Sequence, residues 1–174
     1  MCRQEGYDTP NAFMSSKSRT GINHKEYGVT SEGVNVYLDV ALRHVHGIDP
    51  TKESFTVKMT GGPDGDVAGN LIKILLRDYG ENCKIVGIAD HSGCAEDPAG
   101  LNQEELLRLV HGDHNISRFD PNKLGRDGKV HLSDTEEGVV ARNTMHNRLV
   151  TDVMPLFPWV GDPTRSICTI TAIS

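Results

Sequence analysis

The residues best suited to chemistry form one glycine-rich turn, Gly61-Gly62-Pro63-Asp64-Gly65-Asp66, and one acid further on, Asp90. Glycines let a backbone approach a phosphate with no Cβ in the way. A helix that starts at such a turn offers backbone N–H groups and the positive end of its dipole to that phosphate. An acid at the end of the following strand can bond a ribose hydroxyl pair and repels a 2′-phosphate. Together these residues have the chemistry for a dinucleotide.

The elements around them have the order this requires. A short apolar run, Phe55 to Met59, stops at Thr60 just before the turn. Apolar residues then recur at 67, 68, 71, 72, 75, 76 and 79, the stripe of an amphipathic helix. Gly80 suits the left-handed residue that ends a helix. A second apolar run, Ile85 to Ala89, ends on Asp90. Strand, glycine turn, helix, strand and acid read as the first βαβ unit of a Rossmann-like domain that binds NAD rather than NADP. Gly69 is the residue that lets helix and strand pack closely.

The turn departs from G-x-G-x-x-G. Pro63 stands where the first glycine belongs, with Gly62 just before it, and Ala68 replaces the last. Asp66, in the first helical turn, opposes a diphosphate unless it points away. The alternative is a plain βαβ turn with Asp64 as N-cap. No Lys-Ser/Thr follows the glycines, which argues against a Walker-type loop.

Composition narrows the function classes. The 174 residues suit one domain with a core of its own. A net charge of -6 argues against nucleic acid as the main partner. No apolar run approaches the roughly 20 residues of a membrane span, and the N-terminus has no apolar signal core. Cys2, Cys83, Cys94 and Cys168 have no metal-type spacing, so no metal is expected and free thiols in a reducing, cytoplasmic setting are the default.

In chain order, residues 1–30 read as a polar lead-in. A helix from Ser31 carries the stripe Val34, Tyr37, Leu38, Ala41, Leu42 and Val45, and Gly47 stops it. His44 and His46 in its last turn suit the dipole; no acid or cysteine is spaced to make them ligands. His91-Ser92-Gly93-Cys94 reads as loop, with His91 placed to touch an adenosine. Asn102 and Glu105 fit a reciprocal capping box for the next helix. A short strand is expected over Lys129–Leu132, a helix from about Asp134 to Leu149, and a strand starting in Thr151–Met154. Pro155, Pro158 and Pro163 bar regular structure in the tail until a β segment within Ile167–Ile173.

Two long motifs, INHKEYGVTSEGV (Ile22–Val34) and FTVKMTGGPDGDVAGN (Phe55–Asn70), resemble the NAD-dependent glutamate dehydrogenases of the large-subunit class. DPAGLNQEELLRL (Asp97–Leu109) and ARNTMHNRLVTDV (Ala141–Val153) are similar to them too. The resemblance runs over roughly residues 12–153. It implies the C-terminal NAD-binding part of an enzyme that oxidatively deaminates L-glutamate to 2-oxoglutarate and ammonia, homo-oligomeric when complete. It implies Gly65, Asp66 and Val67 at the diphosphate and Asp90 at the ribose. Val29-Thr30-Ser31-Glu32-Gly33-Val34 is similar to the family's Ala-Thr-Gly-x-Gly-Val run, which makes Thr30 a nicotinamide contact; a helix cap is the other reading of Thr30. The family's catalytic lysine and acid belong to an upstream substrate domain, so the catalytic residues are expected outside this chain, which would then be inactive alone. After Asp152 and Val153 the family pattern is lost; codons can be chosen for Pro155–Ser174 that restore it in a shifted frame, so this tail is expected to come from a frameshift.

The organisation expected is a lead-in over 1–30, a Rossmann-like domain over 31–153 with a mostly parallel sheet flanked by helices, and an atypical tail over 154–174 that leaves the sheet incomplete. The rival readings are a non-catalytic dinucleotide-binding or regulatory module and a non-functional gene remnant.

Overall fold

The computed structural model describes residues 23–151 and 168–171. Its elements are α1 (His24–Tyr27), α2 (Val29–His44), β1 (Phe55–Thr60), α3 (Asp66–Tyr79), β2 (Cys83–Ala89), β3 (Gly93–Glu96), α4 (Gln103–His111), β4 (Lys129–Leu132), α5 (Glu136–Thr151) and β5 (Cys168–Thr171). The strands form one sheet in the order β4-β3-β2-β1-β5.

The sheet is mixed rather than mostly parallel. β1 pairs in parallel with β2 and with β5, whereas β2–β3 and β3–β4 are antiparallel. The reason is the length of one connection. Only Asp90–Ser92 separate β2 from β3, and a link that short makes a hairpin, whereas a parallel neighbour needs a crossover of a dozen residues or more. The four residues Gly-Cys-Ala-Glu of β3 carry no strand signal of their own.

One face of the sheet carries the main core. Phe55, Val57 and Met59 of β1, Ile85 and Ile88 of β2 and Ala95 of β3 pack with Leu38 and Leu42 of α2, Leu71, Ile72 and Leu75 of α3, and Leu106 and Leu109 of α4. Tyr79 closes this core edge-to-face on Phe55, ring centroids 5.3 Å apart, and burial pushes its hydroxyl up to about 12. A bulge in β2 inserts Val86 between the partners of Val57 and Lys58. It keeps Ile85 and Ile88 on one side, so the run shows no period of two in sequence.

The other face is covered by α5 and is small and polar. Ala89, Cys94 and Met145 form its apolar cluster. Lys58 and Glu96 form an ion pair of 3.5 Å across Gly87, whose missing side chain leaves them room.

The helix ends follow local chemistry. Gly80 caps α3 at φ 52°. Asn102 caps α4, accepting from the Glu105 N–H at 2.9 Å. The reciprocal arm is absent, because the Glu105 carboxylate goes instead to Arg108 and to the Asp120 N–H. In α2, Leu38, Ala41 and Leu42 are buried as expected, but Tyr37 and Val45 are exposed. The buried arc runs instead through Ser31 and Asn35, which bond the Val67 carbonyl and Asp78. Polar residues on the core side hid that arc from a hydrophobic pattern. Thr151 ends α5 rather than starting a strand; residues 1–22, the tail prolines, Cys2 and residues 152–167 lie outside the described residues. Among the described residues no helix is long and apolar enough to cross a membrane.

Candidate functional site

The carboxyl ends of β1 and β2 carry the glycine turn and Asp90. The Gly61 N–H donates to the Ala89 carbonyl at 2.8 Å, which ties the turn to the end of β2. Gly61 has φ 107°, where only glycine is unstrained. Gly62 is buried, and a Cβ there would collide with the carboxylates of Asp64 and Asp90. The Gly65 N–H closes the turn on the Gly62 carbonyl at 2.9 Å. Gly69 lies so close to the Pro63 carbonyl that a Cβ would overlap it. The close approach at Gly69 is thus to the turn rather than to the strand expected from the sequence.

Gly65, not Asp64, is the N-cap of α3, and no side chain bonds the cap. The first-turn N–H groups of an uncapped helix point outward at the positive dipole end. Asp66 is exposed at the first helical position and Val67 is half-buried behind it. The arrangement can hold a phosphate on backbone donors.

Asp90 sits beside Gly62, and its carboxylate is already well occupied. Oδ1 accepts from the Ser92 N–H at 2.7 Å, the Ser92 hydroxyl at 2.6 Å and the Gly93 N–H at 3.2 Å. Oδ2 accepts from the Ile116 N–H at 2.9 Å. With one donor on it, Oδ2 keeps acceptor capacity for one more hydroxyl. The segment that carries Ile116 is held from below. Glu105 accepts from Arg108 at 2.6 and 2.8 Å and from the Asp120 N–H at 2.8 Å, while Arg108 also donates to the Arg118 carbonyl. The Arg108 guanidinium holds the Glu105 carboxyl below its usual range.

Thr30 lies in the exposed first turn of α2. The cap of α2 is Gly28, at φ 59°, so Thr30 is not the capping residue. Its neighbour Ser31 donates to the Val67 carbonyl at 2.8 Å, and Gly28 packs against Asn70. The start of α2 is thereby locked beside the start of α3, which brings Thr30 to the same end of the molecule as Gly62, Gly65, Asp66, Val67 and Asp90. His91 is exposed; its carbonyl accepts from Arg142 of α5 at 3.2 Å.

Sequence reasoning missed three things. The Asp90-x-Ser92-Gly93 run is an Asx-turn signature and was readable as such. The bond from Ile116 spans 26 positions and leaves no local signal. The Thr60 hydroxyl, at the end of β1, is buried without a hydrogen-bond partner. A cleft of about 360 Å³ lined by Glu81, Lys84, Gly100, Asn102 and Gln103 lies at the opposite, amino end of β2, away from where open α/β sheets place ligands.

Strand β5 on the far side of β1 makes the end of β1 the point where the strand order reverses, and the glycine turn sits on it. A model of the glutamate/leucine/phenylalanine/valine dehydrogenases matches residues 21–151, across the whole of this site. The chain belongs to that family. The probable NAD-specific glutamate dehydrogenase of Schizosaccharomyces pombe is 37% identical over 154 residues, covering 81% of this chain and 13% of the relative. The NAD-specific glutamate dehydrogenase of Saccharomyces cerevisiae is 36% identical over 171 residues, covering 90% and 15%. The chain thus spans about one seventh of the length of these dehydrogenases. Among solved structures, a lysine-to-leucine variant of a glutamate dehydrogenase matches with a TM-score of 0.51 at 20% identity, over 78% of this chain and 29% of that one. That likeness gives a mixed α/β fold.

Proposed function

We propose that this chain is the Rossmann-like, NAD-binding part of a glutamate dehydrogenase. The observation that carries it is the convergence at the switch point of the sheet. The parallel β1–α3–β2 unit brings the glycine turn, the uncapped start of α3 and Asp90 together there. The names of the relatives, NAD-specific glutamate dehydrogenases, supply the cofactor and the reaction.

The residues fit the cofactor in kind. No Cβ fits at Gly62, which Asp64 and Asp90 wall in, and one at Gly65 would press on the Gly62 carbonyl, so the turn keeps its backbone bare for a ligand. Gly65 lets the diphosphate approach the start of α3, and the N–H groups of Asp66 and Val67 hold it. Asp90 accepts one ribose hydroxyl on Oδ2, and its charge excludes a 2′-phosphate. Thr30, locked beside Val67 through Ser31, meets the nicotinamide amide. When bound, NAD accepts the hydride from the α-carbon of L-glutamate, and this chain supplies binding and orientation. None of these residues is a general acid or base for the amino acid. Glutamate-dependent NADH formation by this chain alone is therefore not expected. Residues 31–153, with Thr30 just ahead of them in the same helix, are the binding unit in this reading. The complete enzyme is a cytoplasmic homo-oligomer that takes L-glutamate and 2-oxoglutarate.

Calorimetric titration of the chain with NAD and NADP tests the reading. NAD binds and NADP does not. Gly65→Ala weakens NAD at least about tenfold while circular dichroism stays native, because its φ of -71° is open to alanine and the new Cβ displaces only the Gly62 carbonyl, 3.0 Å away in the turn. No binding of NAD, or equal binding of NADP, overturns the reading.

A further inference from the structure

One peptide plane links α5 to the ribose acid. The unit between His91 and Ser92 is planar, so its C=O and its N–H point in opposite directions and turn together. Its N–H donates to Asp90 Oδ1 at 2.7 Å. Its oxygen accepts from Arg142 Nη1 of α5 at 3.2 Å, and among the described residues no other donor reaches it. The Ser133 N–H donates to the Ser92 carbonyl at 2.8 Å and the Ser117 N–H to the Ser92 hydroxyl at 3.2 Å. Both bonds fix Ser92 beyond that plane and leave the plane itself to Asp90 and Arg142.

Arg142 is placed differently from the arginines that serve the surface. Arg43, Arg77 and Arg108 each hold a carboxylate. Arg142 is half-buried, and among the described residues its acceptors are all neutral: the His91 carbonyl, the Ser133 hydroxyl at 3.4 Å and the Asn143 side-chain oxygen at 3.1 and 3.3 Å. α5 has other anchors. Met145 is buried with Ala89 and Cys94, and Gly138 lies so close to the Leu132 carbonyl that a Cβ would overlap it. A cation on a peptide oxygen polarises the peptide and makes the N–H at its other end a stronger donor. What the Arg142 bond adds is therefore its hold on the loop that carries Asp90.

We propose that Arg142 is a positioning residue for cofactor recognition: through the His91–Ser92 peptide it keeps the Asp90 carboxylate turned so that Oδ2 meets the adenosine ribose. The inference rests on the NAD reading above. With Oδ1 tied to the Ser92 and Gly93 donors, Oδ2 keeps its direction beside Ile116. Without the guanidinium the plane can turn over, its N–H leaves Oδ1, and Asp90 loses that direction. Ribose recognition then depends on a side chain 51 positions from His91, on the face of the sheet opposite α3.

Amide hydrogen exchange and NAD titration of the full chain test this together. In the cofactor-free chain Arg142→Met speeds exchange at the Ser92 amide at least about tenfold and leaves the amides of Leu71–Leu75 in α3 unchanged. The same variant weakens NAD about fivefold, the loss of one charge-assisted bond. Arg126→Met, which removes an equal charge from an exposed loop, leaves NAD binding unchanged. A double-mutant cycle separates positioning from general support of the fold. In an Asp90→Ala background Arg142→Met brings no further loss of NAD affinity. Unchanged exchange at Ser92, equal losses in Arg142→Met and Arg126→Met, or losses that add in the double variant overturn the proposal. The exchange measurement needs no cofactor, so its failure is distinct from failure of the NAD reading, which shows as no binding by the wild-type chain.

Discussion

The two faces of the sheet are built by different rules. Under α2, α3 and α4, large side chains interlock: Phe55, Val57, Met59, Ile85 and Ile88 meet Leu71, Ile72 and Leu75 with essentially no exposure. Under α5 the same strands offer Lys58, Gly87, Ala89, Cys94 and Glu96, with Met145 as the one large apolar side chain of the cluster. The first face obtains its stability from apolar area, at roughly 25 cal/mol per Å². The second has little such area and includes a buried cation. The lesson concerns where folding and function are placed. The stiff face fixes the strands whose carboxyl ends carry the site. The thin face is the one that α5 covers.

The most direct way to break this comparison is to remove one large side chain from each face. Leu75→Ala is expected to cost about 3–5 kcal/mol in urea unfolding, because a fully buried leucine leaves a cavity in a rigid surround. Met145→Ala should cost clearly less, about 2 kcal/mol, because its small neighbours Ala89, Cys94 and Gly87 leave it fewer close partners. Equal losses would mean that the faces do not differ in this way.

The ion pair sharpens the contrast. Lys58 is 8% exposed, whereas the Glu96 side chain is 27% exposed. Removing the acid strands a buried cation; removing the cation leaves an acid that water can reach. Glu96→Gln should therefore cost about 2 kcal/mol and Lys58→Met about 1 kcal/mol or less. The reverse order, read from chemical denaturation, would show that Lys58 is better solvated than its burial indicates.

A third prediction tests how the stiff face supports Asp90. Arg108 holds the Glu105 carboxyl below its usual range. A lowered folded value means that the group adds stability above the ordinary carboxylate pKa. That stability is lost as pH falls through the lowered value. Glu105→Gln is expected to destabilise by about 1 kcal/mol at pH 7, since Arg108 is half exposed and screened. The difference from wild type should nearly vanish in acid. A gap independent of pH would assign the effect to packing rather than charge.

How far the sequence revealed these features follows from the reach of each signal. α3 shows its stripe on consecutive turns, and β1, the glycine turn, α3 and β2 follow one another along the chain, so the central unit was readable residue by residue. Asn102 as a cap and Lys129–Leu132 as a strand were equally local. The hairpin to β3 was not, since Gly93–Glu96 is too short to show a period and becomes a strand only through its partners. The buried arc of α2 was obscured by Ser31 and Asn35, whose bonds to Val67 and Asp78 are long-range. At the site, the positions of Gly62, Gly65 and Asp90 were legible, and three of the four donors on Asp90 belong to a local Asx turn, but the fourth is long-range. It comes from Ile116, on a segment placed by Glu105 and Arg108.

The smallest expected effect lies at the rim between the two faces, at Asp66. Its carboxylate stands in the first turn of α3, where a negative charge stabilises the helix by a few tenths of a kcal/mol. The same charge opposes a diphosphate bound on the N–H groups beside it. Asp66→Asn should therefore lower thermal stability slightly, by about 0.5 kcal/mol, and tighten NAD binding about two- to fivefold, with both effects shrinking at high salt. A purely structural acid would give the stability loss without the gain in affinity. A loss of both would mean that Asp66 faces the ligand as a partner, through a cation or through the nicotinamide ribose, and the assignment of the diphosphate to this turn would have to move.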